Sequence, residues 1–202
     1  DKLKVDYTTL DEVCCGSVMV RIGWSHEDVA KLYQRNLDHI KSLGIKTLVL
    51  SCSGCYRMFK TEYPRFVEVP FEVLHISEFL ARQDLKLKPM NGVVATYHDP
   101  CHLGRHVGVY DAPREVIKKI PGLEFREMEF SGPTSHCCGG GGGVRSAFPE
   151  ESGKIARTRM EEADFADLMI TSCPFCVNNL ILGKGEKEIR VVDLVELVDE
   201  LL

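Results

Sequence analysis

The sequence predicts an α/β fold of two pseudo-symmetric repeats, each a short parallel sheet flanked by helices, with cysteines at the C-terminal ends of the strands. Three observations carry that prediction. Nine cysteines fall mostly into tight pairs. The pairs recur in the same order in both halves of the chain. Short aliphatic runs alternate with amphipathic stretches, which is the signature of βαβ units.

The repeat is explicit. The first half runs Cys14-Cys15-Gly16, then Leu48-Val49-Leu50-Ser51-Cys52-Ser53-Gly54-Cys55, then Val73-Leu74-His75-Ile76-Ser77-Glu78-Phe79-Leu80. The second half runs Cys137-Cys138-Gly139, then Met169-Ile170-Thr171-Ser172-Cys173-Pro174-Phe175-Cys176, then Val191-Val192-Asp193-Leu194-Val195-Glu196-Leu197-Val198. The spacing matches as well: 36 residues separate Cys15 from Cys52, and 34 separate Cys138 from Cys173. We read residues 1–88 as the first repeat and residues 89–202 as the second, with the Pro89-containing segment Lys86–Asn91 as the seam.

Each repeat reads alike in local structure. Ser25-His26-Glu27-Asp28 is a capping pattern that opens an amphipathic helix to about Ser42, closed by Gly44. Pro149-Glu150-Glu151 suits a helix's first turn and opens a helix to about Ala166. The runs Thr47–Leu50 and Leu168–Thr171 suit buried parallel strands, and a third strand, Gly92–Tyr97, leads into His98-Asp99-Pro100-Cys101. Glu115–Ile120 reads as an ordinary amphipathic helix. Each CxxC falls where a strand ends and a helix begins, and in open α/β sheets sites form beyond those ends.

Composition excludes several classes of function. The chain has 202 residues, 44% hydrophobic and 27% charged, with a net charge of −5. No basic stripe interleaved with aromatics points to nucleic acid. No stretch reaches the roughly 20 apolar residues that span a bilayer. The N-terminus has no signal-peptide core and begins at Asp1 rather than Met, so it reads as processed or as a piece of a longer chain. An odd total of nine cysteines, grouped mostly in tight pairs and without an export signal, reads as thiolates held for metal in a reducing, cytoplasmic compartment.

The second half offers Cys101, Cys137, Cys138, Cys173 and Cys176. Thiolates select zinc, copper(I) or iron–sulfur clusters. A structural zinc site closes with four ligands, which leaves one of five over, whereas a cluster with several irons can use them all. The run Gly139–Gly143 reads as a loop that lets the backbone approach such a group closely. The first half offers Cys14, Cys15, Cys52 and Cys55, open between a cluster, a four-coordinate zinc and a site that needs further residues. His98, His102, His106 and His136 flank cysteines 101 and 137 and are open between replacing a thiolate ligand, shuttling a proton, donating a hydrogen bond to sulfur and capping a turn. Arg105, Arg114 and Arg145 are candidates for an anion or for plain solvation. No catalytic acid or base is assigned.

At these residues the chain resembles a known family. Cys101-x35-Cys137-Cys138-Gly139-x33-Cys173-x-x-Cys176 is similar to the CCG cysteine-rich domain of heterodisulfide reductases and related iron–sulfur oxidoreductases. The stretch His98–His106 followed by Tyr110–Val116 is most similar to the D-type branch. The resemblance implies a doubly repeated α/β domain holding 4Fe–4S clusters of a non-cubane kind. Cys101, Cys137, Cys138, Cys173 and Cys176 would be the second cluster's ligands. The first motif matches only at Cys14, Cys15, Cys52 and Cys55, because family members begin it with one more cysteine.

The implied activity is reduction of a disulfide, or electron transfer between thiols and a redox chain, by a catalytic subunit or fragment. The implied partners are a thiol or disulfide substrate and a ferredoxin-like or flavoprotein electron donor. A membrane cytochrome partner would hold the chain peripherally at the membrane. Two other readings stand beside it: an electron relay for a glycolate- or lactate-type 2-hydroxy-acid dehydrogenase, and a zinc-stabilised structural module.

Overall fold

The computed structural model describes residues 2–11 and 13–202. The elements follow in order as α1 (Ser17–Arg21), α2 (His26–Ser42), β1 (Thr47–Leu50), α3 (Ser53–Arg57), β2 (Glu72–His75), α4 (Ile76–Ala81) and β3 (Val94–His98). They continue as α5 (Gly104–Val107), α6 (Asp111–Lys118), β4 (Glu124–Phe125), α7 (Val144–Ala147), α8 (Pro149–Glu161), β5 (Leu168–Thr171), α9 (Pro174–Lys184), β6 (Arg190–Asp193) and α10 (Leu194–Leu201).

Two parallel sheets result. β1 pairs with β2, from Thr47 opposite Glu72 to Leu50 opposite His75. The second sheet has the order β4-β3-β5-β6, with His98 opposite Thr171 and Thr171 opposite Asp193. The units β1-α3-β2 and β5-α9-β6 correspond element for element, and the cysteines that follow β1, β3 and β5 all lie beyond the C-terminal ends of those strands. α2 begins where the capping box requires, since Ser25 Oγ accepts from Asp28 N and Asp28 Oδ2 accepts from Ser25 N. α8 is shorter than its sequence pattern, ending at Glu161 rather than Ala166. Asp164 and Asp167 are poor helix formers, and Asp167 instead accepts Val94 N through Oδ2 at 2.8 Å, which locks β5 beside β3.

Strand alternation sends side chains into two cores. Ala95, Tyr97, Leu168 and Ile170 face a core closed by Val116, Ile117, Leu194 and Leu197. Met169 faces the opposite side, with Met160, Leu180 and the buried cysteines Cys138, Cys173 and Cys176. α2 contributes Val29, Tyr33, Leu37 and Ile40, one helical face, to the core of the first sheet. Residues 86–91 are tied down rather than free. Leu85 and Leu87 are buried in the core of the second sheet, Lys88 N donates to Leu201 O at 2.8 Å, and Met90 N donates to Pro121 O at 2.9 Å. α8 and α9 cross so closely that a Cβ on Gly183 would lie 2.6 Å from Ala156.

His75 and Asp193 occupy matching places, each closing its strand and capping the next helix. His75 Nδ1 accepts from Ser77 N at 3.2 Å, and Asp193 Oδ1 accepts from Val195 N at 3.0 Å. Burial holds the His75 pKa down to about 4, so its ring is neutral and the cap is intact near pH 7. The unfolded chain therefore takes up this proton first as pH falls. The stability His75 contributes is complete above about pH 6.5 and is lost on the way to about pH 4. We expect His75→Asn, which keeps an acceptor at the cap and removes the titration, to flatten that slope. Urea unfolding of the metal-free chain should show the variant losing about 2 to 3 kcal/mol less than wild type between about pH 7 and about pH 4.5; equal losses would show that His75 is not the group responsible.

Candidate metal centre

Strand geometry gathers the cysteines. Cys52 follows β1 and is the N-cap of α3, and Cys173 follows β5 and is the N-cap of α9. Each second CxxC cysteine lies in the first turn of its helix, where hydrogen bonding to neighbouring sulfurs raises its pKa, Cys55 through Cys15 and Cys52, and Cys176 through Cys138 and Cys173. Cys101 follows β3, in a turn where Pro100 O accepts from Leu103 N and Gly104 N. Asp99 anchors that turn by accepting Arg114 Nη1 and Nη2 at 2.8 and 2.9 Å and Gly132 N at 2.7 Å.

The two Cys-Cys segments are held from behind by buried side chains. Asn36 Nδ2 donates to Cys14 O at 3.1 Å and Tyr63 Oη to Cys15 O at 3.1 Å. In the second half Asn179 Nδ2 donates to Cys138 O at 2.6 Å and Ser152 Oγ to Gly139 O at 2.9 Å. Ser53 Oγ donates to Ser172 O at 2.6 Å, stitching the two CxxC turns together.

The consequence is one shared cavity. Cys14, Cys15, Cys52, Cys55, Cys101, Cys137, Cys138, Cys173 and Cys176 all line a single space of about 240 Å³, and all nine are free thiols. The sequence pattern treats the halves separately, but the structure brings their sulfurs to the same space, with Cys52 and Cys173 at the two turns joined by Ser53 and Ser172. Cys138 and Cys176 Sγ lie 3.4 Å apart. Backbone N–H groups also point at sulfur, from Gly16 to Cys14 at 3.4 Å, Gly139 to Cys137 at 3.3 Å and Gly140 to Cys138 at 3.5 Å.

Crowding sorts the protons. Hydrogen bonds from Cys173 and Cys55 pull the Cys52 thiol down to about 2, and those from Cys101 and Cys138 pull Cys137 to about 2. The hydrogen bond with Cys55 lowers Cys15. Their partners move the other way. Hydrogen bonding to Cys137 pushes Cys138 up to about 11 and raises Cys101, and hydrogen bonding to Cys138 and Cys173 raises Cys176. Metal uptake therefore releases protons from the raised thiols.

These features fit a cluster better than a lone ion. A tetrahedral zinc uses four thiolates, whereas the cavity has room for about eight waters at roughly 30 Å³ each. N–H donors aimed at sulfur from a glycine loop complete a cradle for a sulfur-rich group. The glycines are needed sterically too. Gly139, at φ +80°, would place a Cβ 2.9 Å from Ile155, and Gly140 would place one 2.8 Å from Asn179.

The remaining expected residues divide. His102 lines the cavity, and burial, then Arg57 and Arg21, lower its pKa to about 4. His106 stacks edge-on against it, His136 pairs with Glu162, and His98 is buried beside Cys138 and Cys176. Arg114 is committed to Asp99 and Glu127, and Arg105 to Ser135 O, so neither is a free anion site. The cationic side chain that lines the cavity is Arg21, with the Arg57 charge close enough to act on His102, and no sequence pattern marked either. Arg21 lines the cavity, its Nε has no hydrogen-bond partner among the described residues, and its charge helps lower the Arg57 pKa after burial. Glu62 is shared among three guanidinium groups, 3.5 Å from Arg21, 3.1 Å from Arg57 and 3.0 Å from Arg65.

Comparison with known proteins shows the family. The family described as CCG, cysteine-rich domain, matches residues 1–60 and 95–181. The D-type component of the dihydromethanophenazine:CoB–CoM heterodisulfide reductase of Methanosarcina mazei is 42% identical over 100% of this chain and 53% of its own. One component of the fumarate reductase (CoM/CoB) of Methanothermobacter marburgensis is 42% identical over 93% of this chain and 38% of its own. The EtfAB:quinone oxidoreductase of Syntrophomonas wolfei is 35% identical over 95% and 29%. The chain thus spans about half or less of the length of these curated relatives.

We expect Gly140→Ala to destabilise the metal-free chain by about 1 to 3 kcal/mol through overpacking against Asn179. Gly141→Ala, whose Cβ meets nothing within 4 Å, is the control. Urea unfolding of both checks this, and equal midpoints would mean that the loop yields without strain.

Proposed function

The chain belongs to the CCG family of cysteine-rich domains, and from that premise we propose that it is the cluster-binding module of an iron–sulfur oxidoreductase that reduces a disulfide. Convergence of nine free cysteines on one cavity carries this reading. Two repeats, residues 1–88 and 89–202, would each contribute a cysteine set. Cys101, Cys137, Cys138, Cys173 and Cys176 would hold a 4Fe–4S cluster of the non-cubane kind, with Cys14, Cys15, Cys52 and Cys55 holding a second metal group. When bound, such a cluster supplies one-electron steps to a reaction that consumes two electrons.

The chain's own residues bind and orient. Arg21, backed by Arg57, is placed to hold an anionic arm of the disulfide at the cavity. His102 is neutral at physiological pH and offers an N–H donor beside the cysteines. Gly54 borders that corner: a Cβ there would lie 3.4 Å from His102 Nδ1 and 3.6 Å from Cys52 Sγ, which is ordinary contact. Electrons would come from a partner protein of the ferredoxin or flavoprotein type. No helix among the described residues is long and apolar enough to cross a membrane. A membrane cytochrome would be the partner that holds the protein at the membrane. The EtfAB:quinone oxidoreductase relative, whose name carries no thiol or disulfide, supports a second reading, an electron relay without disulfide turnover.

Anaerobic iron, sulfide and zinc analysis of the reconstituted chain tests the reading. We expect about four to eight irons with matching sulfide, reduced in both Cys173→Ser and Cys52→Ser. Zinc alone, with no iron, would leave only a structural module. In a disulfide-reduction assay with a low-potential donor, Arg21→Met should raise KM for an anionic disulfide about tenfold, about 1.4 kcal/mol, at similar kcat. A loaded chain that passes electrons but turns over no disulfide would favour the relay.

A further inference from the structure

His98 closes β3, and Thr171, opposite it on β5, donates its hydroxyl to His98 O at 3.0 Å. The residue is 1% exposed. A ring nitrogen and the Sγ atoms of Cys138 and Cys176 lie within 4.8 Å of one another. By itself that trio resembles a metal site with histidine as a ligand. The other side of the ring says otherwise. Arg159 Nε lies 3.1 Å from His98 Nδ1, and a guanidinium has only donors. Nδ1 must therefore carry its lone pair, and the proton of the neutral ring sits on Nε2. A ligating imidazole is built the opposite way, with its second nitrogen donating to an acceptor. Nε2 is buried without a hydrogen-bond partner among the described residues, so with Nδ1 taken by Arg159 its N–H is the one left to donate to a group held at the two cysteines. Burial, then the Arg159 charge, lower the ring's pKa to about 3, so this N–H donor is constant at physiological pH.

Arg159 cannot turn away. It is 1% exposed, Nη1 donates to Phe130 O at 2.9 Å and pairs with Glu162, and Nη2 donates to Ser135 Oγ at 3.1 Å. The first repeat has no counterpart at this place. Asn36 and Arg159 each stand 21 residues beyond the second cysteine of their Cys-Cys pair, but Asn36 spends its amide on Cys14 O and Tyr63 Oη.

We propose that His98 is a fixed Nε2–H donor to the sulfurs of the group held by Cys138 and Cys176, that Arg159 is its positioning residue, and that the pair raises that group's reduction potential. The proposal rests on the cluster reading above. A donor to sulfur offsets the negative charge brought by each added electron, so it favours the reduced state.

Two measurements test it. In the metal-free chain labelled with ¹⁵N-histidine, NMR should find His98 protonated at Nε2 and bare at Nδ1, and Arg159→Met should release Nδ1 so that both tautomers appear. A protonated Nδ1 in the wild-type chain overturns the proposal. In the reconstituted chain, an EPR-monitored redox titration should show a lower potential in His98→Leu and partial recovery in His98→Gln, whose amide can replace the donor. An unchanged potential in a His98→Leu chain with full iron and sulfide also overturns it. A wild-type chain that assembles no cluster overturns the cluster reading instead, and the tautomer then decides this proposal.

Discussion

Nine sulfurs around one cavity of about 240 Å³ are the constraint on which the rest of the molecule depends. Thiols packed this closely cannot all ionise, and buried thiolates need either donors or metal. In the metal-free chain the sulfurs serve one another, with Cys52 and Cys137 held as thiolates by neighbouring thiols. Such an arrangement is poor as a hydrophobic core and well suited to surrendering protons to a metal group. The rest of the fold holds it in place. Parallel strands deliver the cysteines from their C-terminal ends, and Asn36, Tyr63, Ser152 and Asn179 satisfy the carbonyls that the cysteine turns leave behind.

Much of this was legible in the sequence because it is local. Thr47–Leu50 and Leu168–Thr171 are strands to the residue, since short aliphatic runs next to CxxC leave little choice of register or end. Ser25 and Asp28 specify the start of α2 through their own side chains. α8 ran short because its end is decided by a tertiary bond, Asp167 to Val94, that no helical pattern contains. The union of both cysteine sets in one cavity was hidden for the same reason. Repeat spacing tells that two units are alike, but not that their strand ends face each other across the Ser53–Ser172 bond. Arg21 and Arg57 escaped notice because an arginine in a short helix looks like any solvated cation until its neighbours are known. Arg114 misled in reverse, since its partner Asp99 lies 15 residues earlier, in the turn ahead of Cys101.

Pseudo-symmetry sharpens what differs between the halves. Both use a capped helix after the second strand of a βαβ unit, but one cap is a histidine and the other an aspartate. Burial moves these groups oppositely, lowering His75 to about 4 and raising Asp193 to about 6. Similar backbone geometry is thus reached with groups whose pKa values burial shifts in opposite senses, so the two repeats share the acceptor rather than the charge.

The same logic explains why a fully buried arginine is tolerated next to the cysteines. An unpaired buried guanidinium would be strongly destabilising, but Arg159 has Glu162, Phe130 O, Ser135 Oγ and His98 Nδ1 around it. Three of these partners are acceptors that any stable buried arginine needs. The fourth, an imidazole nitrogen, is a weak choice for stability alone, since the cation disfavours protonation of the ring it touches. It is a good choice if the ring's far side must always present a proton to sulfur. In the first repeat the matching helix position holds Asn36, whose neutral amide supports the backbone and orients no ring. The two halves therefore share a scaffold and differ in electrostatics, and a redox path needs that difference if electrons are to prefer one end of the cavity over the other.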